Sequence, residues 1–333
     1  MVMKKIIVNA SGAKVGGART IVETFIQWVE LNDFSNKYIF IVGFDIESES
    51  ENIEIIKLKT NGLFSVFFAV FGILYYSIIY RTNIIFSFMN LNVCFPFFNR
   101  ITYFHQAKFF EEKNFRFMVY RFFLLLQARS VFICQNEIIK SNLEKFFDFS
   151  VKKKVIDLWP GIKIPRERVE PEWYKDFYDS KNIIALCPYT DVRMSHKGFE
   201  DIYKAYEFFK DNNIKVLVTS DKHGYSNNDV FSFCGNCSYS ELHFLYSQSN
   251  LIIFNSLFET VGLPIFEAQY YGLPVVLNNV DYVRNLCNKF NDLNFIILES
   301  KEVRFNLEKV KNIKIPSNHT CFTGEWDQIQ AFF

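Results

Sequence analysis

Runs of four to six mostly apolar residues recur along the chain and alternate with longer stretches in which apolar positions return every three or four residues. The runs Lys5–Asn9, Tyr38–Val42, Ile53–Leu58, Ile84–Ser87, Ile101–Phe104 and Val131–Cys134 are too continuous for half-exposed strands and predict strands covered on both faces. Between them, Thr20–Leu31, Phe64–Tyr80, Phe110–Gln127 and Glu137–Phe147 have helical spacing. This alternation is that of a doubly wound, parallel α/β sheet. After Val155–Asp157 the segment Trp159-Pro160-Gly161-Ile162 and the charged Pro165–Asp179 stretch predict a strand that leaves the first domain for a linker. A second alternation follows, with strands Ile183–Cys187, Lys215–Ser220, Val230–Phe233, Leu251–Phe254 and Pro274–Asn278, and helices Gly198–Asp211, Ser240–Gln248 and Leu263–Tyr271. The pattern predicts two Rossmann-like domains, 1–160 and 161–320, with 321–333 as a helix crossing back to the first. Two such domains in series set the carboxyl ends of their sheets across a cleft, where folds of this kind bind ligands.

Composition narrows the picture. A length of 333 residues suits two cores rather than one, and a 50% hydrophobic content excludes a disordered chain. With 37 Lys and Arg against 36 Asp and Glu, no overall field recruits nucleic acid, which is not expected as a partner. Seven scattered Cys read as reduced thiols in a cytoplasmic protein. Cys234 and Cys237 form a C-x-x-C without a second pair at zinc-like spacing, and no metal is expected. The 40 Phe and 17 Tyr admit two readings, contact with a membrane surface and AT-rich coding, and coding takes the larger share. The apolar run at the N-terminus is too short for a signal-peptide core and reads as a first strand. Asn61–Tyr80 carries no charge and approaches the length of a bilayer span, but Ser65, Gly72, Ser77 and three Tyr, with a strand close behind, point to a crossover helix buried on the sheet.

The chemistry concentrates in Asn255 to Val276. After the strand Leu251–Phe254 come Glu259 in a loop, Gly262, and a helix opening near Pro264, with Glu267 on that helix. The backbone N–H groups of Thr260, Val261, Gly262 and Leu263 at a helix start suit a pyrophosphate, which glycine lets approach closely. Carboxylates at Glu259 and Glu267 can accept hydrogen bonds from sugar and ribose hydroxyls. Glu259, Glu267 and Gly272-Leu273-Pro274-Val275-Val276, with the upstream Gly235 to Asn250 segment, resemble the signature of the retaining GT-B glycosyltransferases of family 4, the glycosyl transferases group 1. That family has two glutamates separated by seven residues, followed by a Gly-x-Pro-Val-Val strand.

Three further features fit the resemblance. Arg193-Met-Ser-His196-Lys197-Gly198 follows a strand and opens a helix, and its two cations can neutralise a departing diphosphate. Lys197-Gly198 matches the family's Lys-Gly pair. Arg193 stands four residues before the lysine rather than five and lacks the preceding glycine, which makes Lys197 the firmer assignment. Ser11 to Arg19, with Gly16 and Gly17, resembles the family's Gly-Gly-Ala loop; it carries neither a Walker lysine-serine pair nor a full dinucleotide fingerprint, against ATP and NAD. His105, at the carboxyl end of a strand, matches a histidine that in relatives contacts the transferred sugar. Phe109 and Phe110 with Lys113, Arg116 and Arg121 mix aromatic and basic residues in a way that suits an anionic membrane surface and suits core packing equally.

The resemblance implies a metal-independent, retaining transfer of a sugar from a nucleotide diphosphate sugar to an acceptor hydroxyl, with no cofactor beyond the donor substrate. Glu259, Lys197, Arg193 and His105 would serve the reaction, and Glu267, the 260–263 backbone and Gly16–Gly17 the donor. The biological setting expected is bacterial cell-surface polysaccharide assembly, O-antigen or capsule, on a glycan acceptor linked to polyprenyl diphosphate, by a cytoplasmic protein peripheral at the inner face of the membrane. Two other readings stay open: another GT-B enzyme such as a nucleotide-sugar epimerase, and an inactive membrane-associated scaffold of a glycan assembly complex.

Overall fold

The computed structural model describes residues 3–106, 109–110, 115–127, 129–147, 154–177, 182–316 and 318–333. It divides into two compact units, Met1–Ile162 with Thr323–Phe333, and Lys163–Phe322.

The first unit is built on a seven-stranded, all-parallel sheet. Its strands are β1 (Lys5–Ala10), β2 (Lys37–Val42), β3 (Ile53–Lys57), β4 (Ile84–Ser87), β5 (Asn99–Phe104), β6 (Val131–Cys134) and β7 (Lys154–Asp157), in the order β3-β2-β1-β4-β5-β6-β7. Val155–Asp157 therefore closes the edge of this sheet before the chain leaves it. The strand side chains divide between two cores, as the period of two requires. Ile6, Val8, Tyr38 and Phe40 face helix α1 (Gly16–Asn32), while Ile7, Ile39, Ile41 and Ile85 face Phe68 and Ile73 on the opposite side.

Phe68 and Ile73 belong to the continuous helical stretch Gly62–Tyr80, which runs as α2 (Gly62–Phe67), a π turn (Phe68–Gly72) and α3 (Ile73–Tyr80). It connects β3 to β4 as a crossover and packs on the sheet along one side only; its other side, with Leu63, Phe67 and Ile78, is exposed. The expectation of a buried crossover helix thus holds for half of its circumference. The expected helix Phe110–Gln127 is α4 (Phe115–Leu125); Lys113 lies outside the described residues. Helix α5 (Glu137–Phe147) completes the unit's main helices, with Ile139, Leu143 and Phe147 buried.

The last residues of the chain belong to this unit, as a 3-10 segment, Trp326–Phe332, rather than an α-helix. Trp326 is fully buried, its ring 5.1 Å from Phe25 and 5.7 Å from Tyr103 between centroids, and its Nε1 donates to the Pro160 carbonyl at 3.0 Å. Around it, the Trp159 N–H donates to Glu325 Oε2 at 2.8 Å, and Trp28 Nε1 donates to Asp327 Oδ1 at 2.9 Å.

The second unit repeats the same winding. Strands β8 (Ile183–Cys187), β9 (Ile214–Val218), β10 (Phe231–Phe233), β11 (Leu251–Phe254), β12 (Val275–Leu277) and β13 (Phe295–Ile297) form a parallel sheet in the order β10-β9-β8-β11-β12-β13. After a short α6 (Tyr174–Phe177), the expected helix Gly198–Asp211 is broken at Ala205 into α7 (Phe199–Lys204) and α8 (Tyr206–Asp211). Helix α9 (Tyr239–Gln248) opens on a capping box, in which Ser238 Oγ accepts from the Glu241 N–H while Glu241 accepts from the Ser238 N–H. Helices α10 (Leu263–Tyr270) and α11 (Asp281–Lys289) follow β11 and β12. In their own counting both sheets run 3-2-1-4-5-6, the first adding a seventh strand at the end, and the order reverses between the first and fourth strands; in folds of this kind ligands bind beyond the carboxyl ends of the strands at that point. In the second unit those strands are β8 and β11.

Candidate functional site

The loops that leave β8 and β11 carry the residues singled out in the sequence, and they are laced together. The Leu257 N–H donates to the His196 carbonyl at 2.7 Å, and Asn255 Nδ2 to the Gly198 carbonyl at 2.9 Å. Below them the Tyr189 hydroxyl accepts from the Asn255 N–H, and Tyr282 donates to the Ser256 carbonyl. The lacing brings Lys197 and Glu259, which are 62 residues apart in sequence, into an ion pair with Nζ 2.5 Å from Oε1. Both side chains keep 18% of their surface exposed. Ser256 Oγ donates to the same Glu259 oxygen at 2.8 Å, fixing its orientation. A lysine ammonium has three N–H donors and Glu259 takes one, so the remaining donors can address an anion at the same place.

Gly198 is what allows the loops to meet. It adopts φ +62°, and a Cβ there would stand 2.4 Å from the Asn255 carbonyl oxygen. Gly198→Ala should cost about 1–2 kcal/mol from the left-handed backbone alone, and more because the obstacle is backbone. A thermal melt should show Tm falling by several degrees, and an unchanged Tm would mean that the loops tolerate separation. Gly262 plays the corresponding part before α10. At φ +69° it caps the helix, and Val261 and Leu263 bury their side chains on either side. What the 260–263 segment can offer a ligand is therefore largely backbone.

The other predicted residues stand apart from the pair. Arg193 is not turned toward Glu259: its Nε and Nη2 grip both oxygens of Asp191 at 3.0 and 2.9 Å, holding that carboxyl down at about 2. Asp191 was not singled out in the sequence, although an acid two residues from an arginine in a loop is a readable signal. Glu267 lies inside the unit, only 4% exposed, where Tyr246 and Tyr239 hydroxyls on α9 approach its two oxygens at 3.1 and 3.3 Å. The Tyr239 hydroxyl also bonds the Lys163 carbonyl. One hydroxyl proton cannot serve both acceptors, and a protonated Glu267 resolves the conflict by donating to Tyr239 while Tyr239 donates to Lys163. Burial raises the Glu267 carboxyl to about 7, above its ordinary 4.5, against the lowering effect of the tyrosine hydroxyls. Both tyrosines fall in the upstream segment that carries the resemblance, Tyr246 on the expected helix Ser240–Gln248 and Tyr239 just before it, where no pattern marks it.

This burial has a measurable consequence. Below about pH 4.5 the carboxyl is protonated in native and unfolded chains alike, and between 4.5 and 7 only the native state holds the proton. Stability therefore falls as pH rises through that window, and the full cost is present above it. Urea denaturation should show wild type losing on the order of 3 kcal/mol relative to Glu267→Gln between pH 4.5 and 8; parallel pH profiles would show that Glu267 ionises freely.

In the first unit, Gly16 and Gly17 lie exposed at the start of α1, where Gly16 has φ +64° and open space around a Cβ. The loop is anchored behind them by the Ser11 hydroxyl, which bonds Asn9 Oδ1 at 3.0 Å and Thr60 at 3.1 Å. His105 directly follows β5, its backbone N–H donating to Asn90 Oδ1 at 2.7 Å. Burial drives its imidazole down to about 4, so the ring is neutral at pH 7.

Residues 189–292, which span both loops of the Lys197–Glu259 pair, match the sequence model of the family described as Glycosyl transferases group 1. No curated protein sequence matches the chain. Among solved structures, WaaG, a glycosyltransferase involved in lipopolysaccharide biosynthesis, is similar over 92% of this chain and 88% of its own, with a TM-score of 0.63 and 13% identity. Sucrose-phosphate synthase from Thermosynechococcus elongatus gives a TM-score of 0.63 at 14% identity, covering 90% of this chain and 87% of the other. HepE of Anabaena, solved with UDP and glucose, gives 0.61 at 14% identity, again covering 90% and 87%. At these identities the likeness shows the fold, two parallel-sheet α/β units of GT-B type.

Proposed function

We propose that this GT-B chain, whose second unit carries the group 1 glycosyltransferase match, takes a sugar from a nucleotide sugar and transfers it, with retention and without a metal, to an acceptor hydroxyl. The observation that carries the reading is the Lys197–Glu259 pair, held by two interlaced loops at the β8/β11 reversal inside the matched segment. The Lys197 ammonium stabilises the phosphate that leaves with the nucleoside diphosphate, and it acts from a partly desolvated position where a fixed charge counts for more than in water. Glu259, held by Lys197 and Ser256, orients the sugar hydroxyls. The 260–263 backbone cradles the pyrophosphate, and Glu267 with its tyrosines forms the polar floor for the ribose. Arg193 is released from Asp191 to assist the diphosphate. Gly16, Gly17 and His105 are the first unit's candidates for the sugar and acceptor.

Neither glutamate is placed as a glycosidase-type nucleophile, because Glu259 is committed to an ammonium and Glu267 is enclosed. Departing phosphate serves instead as the base for the acceptor hydroxyl, so the new bond forms on the face from which the old one leaves. The reaction needs no cofactor beyond its donor. Similarity to a protein whose description names lipopolysaccharide biosynthesis favours cell-surface polysaccharide assembly, O-antigen or capsule, on a polyprenyl-diphosphate-linked glycan at the cytoplasmic side of a bacterial membrane.

Calorimetric titration with UDP-, GDP-, ADP- and dTDP-sugars tests the donor, with Lys197→Ala and Glu267→Ala as controls. Selective binding of one nucleotide, weakened by both substitutions, is expected, followed by release of nucleoside diphosphate, a glycosylated acceptor with the donor's anomeric configuration, and turnover indifferent to EDTA. A folded protein that binds none of the four overturns the reading in favour of a scaffold, and an isomerised donor without acceptor product overturns it in favour of an epimerase.

A further inference from the structure

We propose that the outer side of the Gly62–Tyr80 helix and the adjoining side of α4 form one docking face for an anionic lipid bilayer, lying in the membrane interface without crossing it. The helix has mean hydropathy 2.1 and 19 residues, but its inner side, through Val66, Phe68, Val70 and Ile73, is locked into the core beneath β1, β2 and β4. A span would require surrendering that core.

Among the described residues the outer side has no such partner. Leu63, Phe64, Phe67, Tyr75, Ile78 and Ile79 are each more than half exposed, with Ile78 at 76%. Helix α4 continues the surface with Phe115, Met118, Phe122 and Leu125, again each more than half exposed, and the Phe71 and Phe123 rings meet at 6.2 Å to join the two helices. A helix apolar on all sides belongs inside a protein or against lipid, and a patch of this extent marks an interaction surface.

Charge decides what covers it. Residues 54–137 carry nine Lys and Arg, one of them the buried Arg100, against four Glu, in a chain whose net charge is +1. The helix is flanked by exposed Lys59 at one end and by Arg81 at the other, where Arg81, Lys4 and Lys5 line an open groove of about 500 Å³. A second copy meeting this face with its own would set like charges together. An anionic headgroup layer matches the cations while the acyl boundary takes the aromatic and aliphatic side chains. The inference deepens the proposed membrane-side placement, and its chemistry lies on the unit opposite in sequence to the donor residues: failed vesicle binding leaves nucleotide-sugar titrations unaffected, and the reverse.

Co-sedimentation of the full chain with vesicles of phosphatidylcholine alone, and of phosphatidylcholine with phosphatidylglycerol, tests it. Wild type should bind the anionic vesicles at least about tenfold better, and lose that preference at high salt. The triple variant Phe67→Ser/Ile78→Ser/Phe122→Ser should lose binding by at least tenfold with its circular dichroism and Tm retained. Ile78→Ser alone supplies the same comparison where the triple variant does not fold. Lys59→Glu/Arg81→Glu should abolish the anionic preference. The proposal is overturned by wild type that remains in the supernatant with both vesicles, by folded variants that sediment like wild type, or by a solution dimer that the Phe67, Ile78 and Phe122 changes convert to monomer while vesicles stay empty, which would assign the face to a second copy.

Discussion

Replacing Lys197 with alanine should cut turnover by about 10²–10³-fold, the usual cost of removing one preorganised group from a developing negative charge. The effect has two sources. The leaving phosphate loses its cation, and Glu259 loses the partner 2.5 Å away, keeping Ser256 alone among the described residues and standing as an unbalanced carboxylate where phosphate must arrive. The second source makes the pair non-additive. Lys197→Ala/Glu259→Gln should therefore be less impaired than the product of the two single variants, because removing the orphaned charge returns part of the loss. Steady-state kcat and KM for the nucleotide sugar, on variants whose Tm matches wild type, give the comparison. A fall of less than tenfold for Lys197→Ala, or strict additivity, would remove the ion pair from the centre of the mechanism.

Trp326→Ala should destabilise the first unit by about 3–5 kcal/mol, the range for deleting a fully buried large aromatic side chain. The ring fills the space among Phe25, Phe88 and Tyr103, and its N–H satisfies the Pro160 carbonyl. Few neighbours can collapse into the gap, because the residues before and after are pinned to Trp159 and Trp28. Denaturant titration should show the loss, whereas Gln330→Ala, at an exposed position of the same 3-10 segment, should stay within about 0.5 kcal/mol. Equal behaviour of the two variants would mean that the tail is an ornament to the unit rather than part of its core.

Much of this architecture is legible in the sequence because parallel strands covered on both faces must be written as continuous apolar runs. Ile183–Cys187 and Leu251–Phe254 are plain for that reason, and so are the loops behind them. Strand β13 is three residues long, too short for any period to register, and α11 is mostly polar with three buried positions, so neither stood out. The break at Ala205 has no glycine or proline to announce it. At the site, Lys197 and Glu259 were nameable from local patterns, but their contact depends on Gly198 and Asn255 at the crossing of two loops. The grip of Asp191 on Arg193 and the enclosure of Glu267 by tyrosines come from another turn and another helix, information that no local window contains. The Phe-rich composition illustrates the same limit. Coding bias accounts for a count, but only the packing reveals that the surplus on residues 62–80 and 115–125 lies on outward sides.

The return of residues 323–333 to the first unit has a consequence for biosynthesis. The sheet of that unit is complete in the chain by Asp157, yet the tryptophan that seals its core is made only after all of Lys163–Phe322. At elongation rates of about 5–20 residues per second, the wait is roughly 10–30 s. During that interval the nascent domain lacks the ring that fills the space beside Phe25 and Tyr103, and the second unit, drawn from one uninterrupted stretch, can close first. In this chain the order of synthesis and the order of completion run in opposite directions.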